Sequence, residues 1–149
     1  MRTIIACCVA LMATTGLAPA QTADAPLGTK LHPEEGEYIV AGNGFAVYLF
    51  KADRQGGAAG EPASACEGDC LGLWPPVLAD GSPAADGKLR AELLGTMTRS
   101  DGSTQLTYNG WPLYFYAEDY EPDDIKGHDI ESYGEDWYLV GPNGERARN

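Results

Sequence analysis

Asn43-Gly44-Phe45-Ala46-Val47-Tyr48-Leu49-Phe50-Lys51-Ala52-Asp53 and Asn109-Gly110-Trp111-Pro112-Leu113-Tyr114-Phe115-Tyr116-Ala117-Glu118-Asp119 are two versions of one phrase, offset by 66 residues. Both read Asn-Gly-aromatic-x-aliphatic-Tyr-x-aromatic-x-x-Asp. A tryptophan follows each, Trp74 at 26 residues after Tyr48 and Trp137 at 23 after Tyr114. A duplicated unit of this length changes the fold expectation, because two similar halves must cover each other's apolar faces. Alternation along a strand puts Tyr48 and Phe50 on one face and Val47 and Leu49 on the other. The second copy sets Tyr114 and Tyr116 against Leu113 and Phe115. Neither strand has a polar side, which belongs to a strand in the middle of a layered structure.

The flanking sequence is also β-prone. Glu37 to Ala41 and Phe45 to Phe50 surround an Asn-Gly turn and predict a hairpin. Thr96–Arg99, Thr104–Tyr108 and Trp111–Tyr116, separated by Ser100–Ser103 and by Asn109-Gly110, predict a meander. One short helix is expected near Lys88 to Leu94, with Gly95 ending it. The expected fold is therefore all-β: a small antiparallel sandwich or barrel-like domain of two hairpin-plus-Trp-strand repeats, with at most one short helix.

The amino-terminal stretch reads as an export signal. Met1-Arg2, an uncharged run from Thr3 to Leu17 and Ala18-Pro19-Ala20 form the three parts of a signal peptide over residues 1–20. Ile4-Ile5-Ala6-Cys7 loosely fits a lipidation box but precedes the apolar run instead of closing it, which argues against a lipid anchor. No stretch has the roughly 18 apolar residues of a transmembrane helix. Residues 21–35, polar and proline-containing, read as a flexible tether. The β domain is then 36–149, with repeat 1 over about 38–80 and repeat 2 over about 96–144. The export reading makes the location periplasmic or extracellular.

With 22 acidic against 10 basic side chains in 149 residues, the chain lacks the basic footprint of nucleic-acid binding. Cys66 and Cys70, an even pair in an oxidising compartment, read first as a disulfide. The motif tyrosines are expected to be buried core residues with satisfied hydroxyls. Asp53 and Asp119, just past the strand ends, are expected to hold the following turns.

The densest charge runs from Glu118 to Asp136. Asp119, Glu121, Asp123, Asp124, His128 and Asp129 are its weak candidate ligands for a divalent cation such as calcium. EF-hand spacing fails: with Asp119 as position 1, Asp124 stands where glycine is required and Ile130 where the bidentate glutamate should be. A solvated acidic loop with an exposed His128, favoured as imidazolium by its acidic neighbours, is the plainer expectation. There is no G-x-S-x-G elbow, no H-E-x-x-H and no phosphate-cradling glycine loop before a helix, so no catalytic residue is assigned and no cofactor is expected.

The motif Y-x-[FWY]-x-x-D, given twice by Tyr48–Asp53 and Tyr114–Asp119, resembles that of a bacterial secreted-repeat family of predicted lipoproteins. The resemblance continues through Cys66, Cys70, Trp74-Pro75-Pro76, Leu94-Gly95-Thr96, Arg99, Asp101-Gly102, Gln105, Thr107–Tyr114, Lys126-Gly127, Trp137-Tyr138, Pro142 and Gly144, nearly the whole exported chain. That family has no established activity. The resulting expectation is an exported, non-enzymatic envelope module whose partner is an unknown envelope protein or small ligand. The alternative is a periplasmic metal-binding or redox accessory protein using the Cys66/Cys70 pair.

Overall fold

The computed structural model describes residues 27–79, 81 and 83–148. The expected signal peptide lies outside them. Eight strands form three small antiparallel sheets: β1 (Gly28–His32) with β2 (Gly36–Val40); β3 (Tyr48–Phe50), β8 (Glu135–Leu139) and β7 (Ile130–Ser132); and β4 (Leu94–Thr98), β5 (Thr104–Tyr108) and β6 (Trp111–Pro112). The all-β expectation holds. The only α-helix among the described residues is α1 (Cys70–Leu73), which starts at the second cysteine of the disulfide-closed loop.

The predicted hairpin forms around Asn43-Gly44. Val40 bridges Ala46, and the Val47 N–H donates to the Ile39 carbonyl. The meander is β4-β5-β6, in the expected order. At its second turn, Gly110 has φ +77°, and a side chain there would collide with the backbone of Gly56. Only glycine meets both conditions without strain.

Two expectations are corrected. Residues 28–32 are not tether but strand β1, paired along its length with β2, and Leu27 is fully buried. Composition concealed this because β1 is an edge strand, whose outer side can be polar. The described part of the tether is thus the first strand of repeat 1; residues 21–26 lie outside the described residues. The helix expected near Lys88 to Leu94 shrinks to a single 3-10 turn, Ala91–Leu93. Leu94 and Gly95 are claimed instead by β4, paired with Tyr108 and Thr107 of β5.

The two motif strands lie side by side at the centre. Tyr48 and Tyr114 exchange backbone hydrogen bonds, N to O 2.9 and 3.0 Å. From this bridge each strand turns to the other repeat. Tyr48, Leu49 and Phe50 pair with Leu139, Tyr138 and Trp137 of β8. Phe115 and Ala117 donate to the carbonyls of Pro75 and Leu73 beside Trp74, and Val77 donates back to Leu113. The repeats are interlocked, each motif strand hydrogen-bonded to the other's tryptophan segment. Two cores result, one on each side of the motif strands. Val47, Leu49, Leu113 and Phe115 join Leu27, Ile39 and Val77. Tyr48, Phe50, Tyr114 and Tyr116 join the tryptophans and the cystine.

Candidate functional site

The second core is built of rings placed by the repeat. Phe50, Trp137, Trp74 and Tyr116 form a continuous stack, with centroid separations of 4.0, 3.8 and 4.4 Å, and the two indoles are parallel to within 4°. The motif's second aromatic thus packs on the tryptophan of the opposite repeat. Tyr48 and Tyr114 meet Trp74 and Trp137 edge-on at 5.6 and 5.1 Å. Such geometries follow from the ring quadrupole.

The hydroxyls of the motif tyrosines cross between repeats. Tyr48 Oη donates to Asp119 Oδ2 at 2.6 Å, and Tyr114 Oη donates to Asp53 Oδ2 at 2.7 Å. The other oxygen of each carboxylate holds its own loop: Asp53 Oδ1 accepts the Ala65 N–H and Asp119 Oδ1 the Lys126 N–H. The aspartates thus hold backbone seven and twelve residues farther along the chain, and their second role, receiving the partner repeat's tyrosine, is invisible to local spacing. Burial raises both phenols above their ordinary range, with the neighbouring carboxylates adding to it. These rings are hydrogen-bond donors, not acids, across the physiological range.

Both carboxyls are also pushed up. Burial raises Asp53 to about 6, against the opposing Ala65 and Tyr114 hydrogen bonds and the Arg99 charge, and it raises Asp119 in the same direction. An acid with a raised folded-state pKa holds its proton more tightly in the native protein. Its contribution is therefore complete below the ordinary 3.8 and is lost as pH climbs through about 6. The wild type is expected to lose roughly 2–3 kcal/mol between pH 4 and 7 that Asp53→Asn does not lose. Urea midpoints for both proteins across that range provide the measurement. Parallel profiles would show that Asp53 is not the titrating group.

Cys66 and Cys70 form a disulfide with Cα atoms 5.4 Å apart, and both residues are buried. Sequence reasoning places Arg99 in the first strand of the meander and within the family resemblance, but assigns it no buried role. Its side chain is 1% exposed, and the guanidinium donates to Gln105 Oε1 (2.6 Å), Ser64 Oγ (3.0 Å) and the Cys66 carbonyl (2.7 Å). Ser64 Oγ lies 2.7 Å from Tyr114 Oη, so Arg99 ties the cystine loop to one of the crossed pairs.

The acidic candidates are scattered among separate partners. Asp123 pairs with Lys30 of β1 at 2.7 Å. Asp124 accepts the N–H groups of Tyr120 and Glu121 and pairs with Lys126. Asp129 faces Arg146 at 3.5 Å, Asp119 serves Tyr48, and Glu121 is exposed. Among the described residues, no three His, Cys, Asp or Glu side chains converge as a metal-ligating group. His128 corrects its expectation: its side chain is 6% exposed, Nδ1 accepts the Leu139 N–H, and Nε2 stands 3.0 Å from Glu35. Burial lowers its pKa and outweighs the pull of Glu35 toward the charged form, so the acidic neighbourhood does not decide its state.

The concave surface lies elsewhere. A hollow of about 730 Å³ opens between β3, β6, β8 and the carboxyl-terminal turn, lined by Lys51, Trp111, Tyr138, Glu145, Arg146 and Arg148 among others. Asn109, in the left-handed region at φ 50°, anchors that turn by donating to the Gly144 carbonyl and Glu145. Lys51 lies over the Trp111 ring at 4.6 Å and Arg146 over Tyr138 at 4.1 Å, so aromatic faces hold two of the cations in place.

These features define the class: an interlocked two-repeat β domain whose motif residues are bonded to one another inside. The chain matches the family model described as a secreted repeat of unknown function twice, over residues 23–78 and 95–140, and it belongs to that family. It is accordingly an exported protein. The first match takes in β1, in agreement with the structure. No curated protein and no solved structure matches the chain. No helix among the described residues is long and apolar enough to cross a membrane.

Proposed function

We propose that the protein is a non-enzymatic binding module of the cell envelope, acting in the periplasm or just outside the cell, with the hollow beside Trp111 and Tyr138 as its binding face. The observation that carries this reading is the division of labour between the repeat and the hollow. The side chains that could do chemistry, Tyr48, Tyr114, Asp53 and Asp119, satisfy each other within the core. The hollow presents cations and aromatic rings on the surface, a combination suited to holding a ligand. The reading requires no resident cofactor. The cystine clamps a loop, and its sulfurs are not held among other ligating groups among the described residues.

Native mass spectrometry of the protein isolated from its own host tests the reading. A retained small-molecule adduct that disappears in Lys51→Glu is expected. Only the bare oxidised chain in every preparation, or chemical conversion of the adduct by the protein, overturns it.

A further inference from the structure

Resting on the hollow as binding face, we infer that its ligand carries an oxyanionic group, a carboxylate or a phosphate or sulfate, received by Lys51, Arg146 and Arg148. The argument is one of unmatched charge. The chain has 22 carboxylates for 10 cations, so an unpaired cation is unexpected. Apart from Arg2, which lies outside the described residues, nine lysines and arginines remain. Lys30, Lys88, Arg99, Lys126 and Arg146 each have a carboxylate within 4.0 Å. Among the described residues, Arg54, Arg90, Lys51 and Arg148 have none. Arg54 is bonded to the Glu61 carbonyl, away from the hollow, and Arg90 reaches the Asn143 carbonyl on its rim. The side chains of Lys51 and Arg148 have no hydrogen bond or ion pair among the described residues, and both line the hollow.

Of the acids of the same hollow, Glu37 is paired with Lys88, which with Thr29 holds its carboxyl below the usual range, whereas Glu145 accepts only from the neutral amide of Asn109 and keeps its charge. Lys51 and Arg148 against Glu145 still leave the unspent charge positive, within a molecule whose overall charge is −12. Beside them, the indole Nε1 of Trp111 is a buried donor with no acceptor among the described residues, a departure from the usual pairing of buried polar groups. Two guanidinium groups and an ammonium offer the forked and point-charge donors that oxyanions take. Lys51 and Arg146 are steadied by the rings beneath them, which lowers the ordering cost of binding.

Isothermal titration of the full oxidised protein at fixed ionic strength provides the test, with glucuronate, inorganic phosphate, sulfate and neutral glucose as probes and chloride as the balancing salt. Binding of glucuronate or of the inorganic anions, weakened at least tenfold in Lys51→Glu and in Arg148→Glu, is expected. Which anion binds tighter separates a carboxylate ligand from a phosphate or sulfate one. Both substituted side chains are exposed, and unchanged circular dichroism and melting confirm that each variant is folded. Anion binding unaffected by the two variants, or no anion binding at all, overturns the inference. Glucose binding without anion binding overturns it too, yet leaves the hollow standing as a binding face; a host-derived neutral adduct would separate the two readings in the same way.

Discussion

Trp137→Ala is expected to destabilise the protein by about 3–5 kcal/mol, a large fraction of the 5–15 kcal/mol that holds a domain of this size together. The indole is fully buried, lies face to face with Phe50 and Trp74, meets Tyr114 edge-on and donates Nε1–H to the Ser132 carbonyl. Removing it takes the centre from a four-ring stack whose outer members are fixed by backbone pairing, so they cannot close the gap. Trp74→Ala should cost a similar amount, since Trp74 occupies the equivalent place and its Nε1 donates to the same residue, through Ser132 Oγ. The two losses share one contact, so the double variant should lose less than their sum. Urea unfolding followed by far-ultraviolet circular dichroism gives all three values. Strict additivity would show that the rings act separately.

The second large effect belongs to Arg99. Arg99→Met preserves length and apolar stem but strips the guanidinium from Gln105, Ser64 and the Cys66 carbonyl, with Glu67 Oε1 left alone at the rim. Gln105 is itself fully buried and committed through Nε2 to the Leu113 carbonyl, so it cannot turn away to find another donor. Unpaired acceptors in such a place are costly, and a loss of about 3–5 kcal/mol is expected from breaking the buried set. The variant also carries a signature that simple loosening would lack. The Arg99 charge holds the Asp53 carboxyl down, so without it that carboxyl should titrate at still higher pH. The steep part of the stability–pH curve should move upward with it. A destabilised variant whose curve stays in place would put Arg99 outside the Asp53 network.

Much of this architecture is legible in the chain, and the boundary of legibility has a physical origin. Alternation in Tyr48–Phe50 and Tyr114–Tyr116 gives the two-sided strands, and the structure places a core on each side of them. Asn-Gly gives the turns. What periodicity cannot give is the partner across a hydrogen bond, because it fixes which face a side chain takes and not which repeat supplies the neighbour. Hence the sequence predicts satisfied tyrosine hydroxyls without their acceptors, which are the opposite repeat's aspartates. Strand β1 did leave a signal: Leu27-Gly28-Thr29 recurs as Leu94-Gly95-Thr96, the start of β4. Arg99 shows only as a member of the family resemblance, without its partners, and the hollow left no signal, since a buried cation's contacts and a concave surface both arise from segments distant in sequence.

The crossing of tyrosine and aspartate between repeats has a consequence for biogenesis. As the chain is synthesised amino end first, Tyr48 and Trp74 are made well before Asp119 and Trp137, so the leading half waits open with its donor and its ring unmatched. Polypeptides cut short anywhere before residue 119 lack both the acceptor for Tyr48 and the ring that stacks on Trp74, and so stay open to proteolysis. Completion is registered only when the trailing half arrives and both locks close together.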